Sequence, residues 1–162
     1  CFTSLCRNLN LVVHLDRYNF STNHTFLDFE FESDGPNGRI KKVVRYSPQN
    51  AGGITYFNLA FGDWNEAIGK IDDTAISNNR DRDKILATVA ATVIEFTHHF
   101  PDMPVYVQGS NQARTRLYQM GISSNWEEIE TILDVYGFYD GEWEPFRKSI
   151  NYIAVFACRK LK

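Results

Sequence analysis

The sequence predicts a single α+β domain with a mixed or antiparallel central sheet, one long helix and one shorter helix, and three observations carry that expectation. Residues 25–32 alternate Leu27, Phe29 and Phe31 with Asp28, Glu30 and Glu32, the period-two mark of a half-buried strand. Residues 83–100 set Ile85, Val89, Val93, Phe96 and Phe100 on one stripe at helical spacing. Residues 105–121 run from an apolar strand through a Gly109-Ser110-Asn111 turn into an arginine-bearing helix.

In chain order, residues 1–15 read as a leader or non-core segment, because regular patterning begins only near Asp16, and residues 16–162 as one domain. After the first strand, the run Asp34-Gly-Pro-Asn-Gly38 is a strong turn signal. The next strand, 39–46, carries Arg39, Lys41, Lys42 and Arg45, so its charges are expected to pair with the acids across a hairpin. Residues 47–53 read as a connection. Residues 54–61 are almost continuously apolar and are expected to form a central strand covered on both faces.

A loop rich in Asp, Asn and Gly is expected from Gly62 to Asn79, and Asp81 or Asp83 caps the long helix that Pro101 closes. On that helix Leu86, Ala90 and Ile94 widen the apolar stripe, while Lys84, Thr88, Glu95, His98 and His99 lie opposite. A strand over 103–108 follows, then a helix over 111–121 with Ala113, Leu117 and Met120 as its packing stripe. Residues 126–138 fit a helix or a strand, with a strand favoured in the later half. Residues 141–146 read as a loop and 150–158 as the final strand.

With 162 residues, 43% of them hydrophobic, the chain is long enough for one well-cored domain and too short for two. The net charge of -3 and pI near 5.8 supply no general basic field, which argues against wholesale nucleic-acid binding. Cys1, Cys6 and Cys158 are odd in number and lie at opposite ends of the chain, a pattern that fits neither a disulfide framework nor structural zinc. The apolar run 9–15 is far shorter than a membrane span. A cytoplasmic protein without a membrane or metal site is the expectation.

The strand–turn–helix at 105–121 is the best candidate for chemistry. A helix that starts directly after a strand aims its free N–H groups and the positive end of its dipole at the turn, a ready place for an anion. Gly109, Ser110, Asn111 and Arg114 are therefore candidate ligand-binding residues for a phosphate or carboxylate, and Tyr118, one turn beyond Arg114, is a candidate hydrogen-bond donor or general acid. The competing reading makes Ser110 or Asn111 an ordinary cap and the arginines solvated or structurally paired. Asn79, Asp81 and Asp83 have the spacing that opens a calcium loop but lack its glycine and closing carboxylate, so capping explains them better. His98 and His99 suit the negative end of the long helix. Asp63, Asp72 and Asp73 are candidates for acid–base or metal chemistry against turn and solvent roles, which the spacing favours.

Two resemblances follow from particular residues. The blocks around 29–43, Asn58-Leu-Ala-Phe-Gly-Asp63, Ser77-Asn-Asn-Arg-Asp81 and Gly109-Ser-Asn-Gln-Ala-Arg-Thr-Arg-Leu-Tyr118 resemble a family of small bacterial proteins of unknown function, from Asp16 onward. More remotely, the order of central strand, long helix, strand, short helix and final strand, with Asn111, Ala113, Leu117, Tyr118 and Gly121, is similar to the GNAT acyl-CoA N-acyltransferase superfamily. That resemblance implies a GNAT-like sheet, coenzyme A or acetyl-CoA as cofactor, and Tyr118 protonating the departing thiolate; for a base the central strand offers Asn58 and, at its end, Asp63, the second catalytic candidate.

In that superfamily a glycine-rich loop before the long helix cradles pyrophosphate. Here residues 78–83 contain no glycine and two acids, leaving Arg80 and Arg82 to compensate as ligand-binding residues. The expected function is an acyltransferase-like protein binding acyl-CoA or a related phosphorylated ligand. The alternative is a non-catalytic binding or regulatory module, a toxin–antitoxin-like partner or a nucleotide sensor, with Trp126, Trp143 and Phe146 as an exposed patch for a protein partner.

Overall fold

The computed structural model describes residues 17–73 and 78–161. The expected leader, with Cys1 and Cys6, lies outside the described residues. The rest forms one α+β domain in which a nine-stranded, mostly antiparallel mixed sheet carries three helices. The strands are β1 (Ser21–Thr22), β2 (Asp28–Gly35), β3 (Gly38–Ala51), β4 (Ile54–Asn65), β5 (Lys70–Asp72), β6 (Val105–Val107), β7 (Leu133–Tyr139), β8 (Glu142–Pro145) and β9 (Ala154–Arg159). The helices are α1 (Arg82–His99), α2 (Gln112–Ser124) and α3 (Trp126–Ile132). The sheet runs β1-β2-β3-β4-β6-β9-β7-β8, with β5 on the end of β4, and only β4 and β6 are parallel.

The period-two hairpin forms as its pattern dictates, with Phe29 opposite Val44 and Phe31 opposite Lys42 on the inner face. Outside, Arg45 donates to Asp28 at 2.7 Å and Lys41 pairs with Glu30 at 3.5 Å. β3 runs on through the expected connection to Ala51. Pro48 is tolerated there because β2 pairs no further than Arg45, so the missing N–H falls on an unpaired edge.

The helices all pack on the inner face, where Phe96 of α1 stacks on Tyr46 at 4.2 Å and tilts onto Phe57 at 5.1 Å. β4 is therefore covered by helices on one face only. Its outward residue Tyr56 meets Tyr106, which with Trp143 and Phe156 forms an aromatic layer on the opposite side, and Ile54 is exposed. This arrangement also splits the expected tryptophan patch. Trp126 packs on buried Phe146 on the helix side at 5.3 Å, while Trp143 lies on the outer face.

Four further elements differ from expectation. The loop after β4 contains β5, and residues 141–146 hold β8, reached through Asp140 and Gly141, both at positive φ as a tight hairpin requires. α1 is buried nearly all round. Thr88 is fully buried, accepts from the Tyr18 amide at 2.8 Å and donates to the Lys84 carbonyl at 2.7 Å, so it belongs to the core and not to the polar flank. On α2 the inward face is Thr115, Gln119 and Gly121 flanked by half-buried Tyr118 and Ile122, whereas Ala113 and Met120 are exposed. Gln119 faces in because it satisfies backbone: it accepts from the Tyr152 amide at 2.9 Å and donates to the Ile150 carbonyl at 2.7 Å.

Asp81 occupies the N-cap position of α1 but makes no side-chain cap. Its Oδ2 instead accepts from Tyr18 and from Ser33, each at 2.5 Å. Beside it, buried Asn79 donates to Ser33 Oγ at 3.0 Å and to the Gly38 carbonyl at 2.9 Å, and accepts from the Asn37 amide at 2.7 Å. This network fastens the start of α1 to the β2–β3 hairpin. Asn79→Ala leaves those groups unsatisfied and is expected to cost about 2–4 kcal/mol, read as a lower urea midpoint; a loss under about 0.5 kcal/mol would show that water replaces the amide freely. Among the described residues no helix is long and apolar enough to cross a membrane.

Candidate functional site

Parallel strands impose the geometry of the site. β4 and β6 point the same way, α1 follows β4 and α2 follows β6, so both helix starts lie at the carboxyl end of the parallel pair, where open sheets with such crossovers form ligand crevices. The pairing is short: Phe57, Asn58 and Leu59 meet Val105, Tyr106 and Val107, after which β4 continues to Asn65 while β6 turns away into α2. The two strands part beyond Leu59.

The far side of this opening is bounded by the end of β5. A Cβ on Gly62 would come within 2.3 Å of the Asp72 carbonyl oxygen, so only glycine permits that approach. Ser110 Oγ reaches across to the Asp73 carbonyl at 3.4 Å.

The turn is built by its own side chains. Asn111 caps α2 by accepting from the Arg114 amide at 2.9 Å, and the Gly109 amide donates to Thr115 Oγ1 at 3.0 Å. The Gln112 and Ala113 amides, in the first turn, have no hydrogen-bond partner among the described residues.

Tyr118, one turn along α2, places its ring edge-on to Phe61 of β4 at 6.5 Å. Burial pushes its phenol up to about 12, opposed by the nearby Arg114 charge and reinforced by Asp73. Its hydroxyl makes no hydrogen bond among the described residues. Behind it lies an apolar cavity between the sheet and the three helices, and among the described residues that line it Tyr118 alone carries a polar side chain.

The structure thus brings Gly109, Ser110, Asn111, Arg114 and Tyr118 together just past the end of the β4–β6 pairing, with Asp73 nearby. Asp63 lies on the same inner face of β4, two residues past Phe61, and its Oδ1 is engaged by buried Lys42. Arg80 and Arg82 are exposed at the start of α1. Arg80 has φ 59°, and Arg82 faces its neighbour Asp83 at 3.6 Å; no hydrogen bond or ion pair among the described residues joins either to the α2 turn. Among the described residues no cluster of His, Cys, Asp or Glu could hold a metal ion, and His99 instead bonds Glu95 at 3.0 Å and stacks on Phe26.

Sequence reasoning missed Thr115, the latch for the Gly109 amide, and the Lys42–Asp63 pair. The second had a signal: Lys41 and Lys42 are consecutive in a strand, so they point to opposite faces, and one of them had to enter the core or its rim.

The model of a Family of unknown function (DUF6934) matches residues 14–160. Comparison with curated proteins and with solved structures finds no match to the chain.

Proposed function

The chain belongs to this family of unknown function, and on that premise we propose that it is an acyltransferase-like protein of GNAT-like architecture that binds an acyl-CoA or a related phosphorylated ligand at the opening between β4 and β6. The observation that carries the reading is the unpartnered Tyr118 hydroxyl, held by an apolar surround where the strands part. The side chain is half-buried and its hydroxyl is not fully enclosed, so the hydrogen bond it does not make within the protein is open to a ligand acceptor that reaches it.

In this reading the phosphorylated end of the ligand meets Ser110, Arg114 and the first amides of α2. The acceptor amine attacks the thioester carbonyl, the C–S bond breaks, and the leaving thiolate takes the proton of Tyr118. The phenolate regains a proton from the acylated nitrogen through solvent, leaving amide and thiol. A phenol near 12 stays protonated at neutral pH, as this donor must, and Arg114 keeps it from rising further. Asp63 Oδ2 is the carboxylate oxygen on this face assigned to accept a hydrogen bond from the acceptor, which attacks as the free amine. Arg80 and Arg82 serve the ligand's outer phosphates, since no glycine-rich cradle precedes α1.

The test is thermal unfolding with coenzyme A, acetyl-CoA and inorganic phosphate in parallel, on the wild type and on Arg114→Ala. At ligand about 100-fold above Kd, stabilisation is about 2.7 kcal/mol, or a rise in Tm of about 5–10 °C for a chain of this size. The expected result is a shift with the coenzymes that phosphate does not reproduce and Arg114→Ala reduces. No shift with either coenzyme sinks the reading. The aromatic outer face around Tyr56, Tyr106 and Trp143 is what the second reading, a binding module, would use, and it would then be the first surface to probe.

A further inference from the structure

We infer that the acyl group this site takes is longer than acetyl: a short unbranched apolar chain such as butanoyl or hexanoyl, seated tail-first in the cavity behind Tyr118. The inference rests on the acyl-thioester reading above and adds the substrate class. The cavity measures about 50 Å³, against about 10–15 Å³ for one water on the same measure, so it holds several atoms that the core does not supply. Protein interiors rarely leave such space.

Its walls are aliphatic side chains of β4, β6, β7 and β9 on one side and of α1, α2 and α3 on the other, including Leu59, Val107, Ala90, Val93 and Ile129. A cavity of that lining stays dry and takes apolar guests. The sole polar side chain is Tyr118, so a guest has one place for its polar end, beside that hydroxyl.

The helix itself is arranged around this space. Gly121 lies in the last turn of α2, and a Cβ there would come within 2.9 Å of Leu86 Cβ. The close α1–α2 approach is therefore specified, yet the space beside it is left unfilled by Ala90 and Gly121. A thioester carbonyl held near Tyr118 would direct its alkyl chain inward, with the phosphorylated end at the α2 turn.

The test is a binding series by calorimetry with coenzyme A and its acetyl, butanoyl, hexanoyl and decanoyl thioesters, with free hexanoate alongside. Each methylene that enters the cavity is expected to tighten Kd about fourfold, so butanoyl should bind about 15-fold tighter than acetyl, and the gain should stop before decanoyl as the space fills. Ala90→Leu, or Ala157→Val on the opposite wall, should remove the chain-length gain and leave coenzyme A binding unchanged. Equal affinity for acetyl, butanoyl and hexanoyl thioesters in the wild type overturns the inference while the coenzyme reading stands. Failure of every coenzyme to bind removes both, and hexanoate binding as tightly as its thioester overturns the thioester assignment.

Discussion

Lys42→Met is expected to destabilise the protein by about 2–4 kcal/mol, the largest loss foreseen for a single polar substitution in the sheet. Lys42 is 4% exposed and its ammonium is engaged by Asp63, whose side chain is 19% exposed. Removing one member of a buried pair leaves the other charge partly desolvated, which costs about 3–5 kcal/mol when the survivor is fully enclosed. Asp63 keeps some access to water, so the figure is reduced. The change should appear as a lower urea midpoint with an unchanged slope.

The double variant Lys42→Met/Asp63→Leu separates this account from a packing effect. If the pair costs as much to desolvate as it returns, the double variant should recover to within about 1 kcal/mol of the wild type. A single variant within about 0.5 kcal/mol of the wild type would mean that the pair is wet. The folded double variant would also show whether turnover needs Asp63, since loss of the carboxylate would then be separated from loss of the fold.

Where one local force decides an element, the sequence reveals it. The alternation of Phe29 and Phe31 with Glu30 and Glu32 is legible because one face of that hairpin meets the core and the other meets water. The stripe on α1 is legible for the same reason, and so is the capped turn at Asn111. Where polar residues satisfy distant backbone, the pattern misleads. Thr88 receives the Tyr18 amide and Gln119 clasps residues 150–152, so both turn inward against their hydropathy, and the packing face of α2 rotates away from Ala113 and Met120. Asn79 is further from legibility still, because each of its partners lies some forty residues earlier and nothing near it in the chain signals burial. The Asp140-Gly141 hairpin, by contrast, carried an ordinary local signal that the expected loop passed over.

The candidate site divides along the same line. Gly109, Ser110, Asn111, Arg114 and Tyr118 are near neighbours in sequence, and one turn followed by one helix brings them together. The cavity is a shortage of atoms where seven elements meet, and no residue type records a shortage. Small residues at Ala90 of α1 and Gly121 of α2, both in its wall, help leave it open.

Under the proposed acyl-transfer function, Tyr118→Phe is expected to lower thiol release from an acyl-CoA with a panel of amines by about 10²–10³-fold, because it deletes the proposed proton donor and keeps the ring that packs on Phe61. A structural role predicts the reverse balance. The hydroxyl has no partner among the described residues, so its removal should leave stability at neutral pH unchanged or raised by up to about 1 kcal/mol. The alkaline limb supplies an independent check. The folded phenol lies near 12 and an unfolded tyrosine near 10, so the neutral form is favoured by folding; that contribution is whole below pH about 10 and is lost as pH rises through about 12. The wild type should therefore lose about 2–3 kcal/mol relative to Tyr118→Phe across that interval, measured as the difference between their urea midpoints. Unaltered thiol release would remove Tyr118 from the chemistry. A wild type and variant that fall together above pH 10 would show instead that its phenol is solvated, and with that the dry opening between β4 and β6 would lose its physical basis.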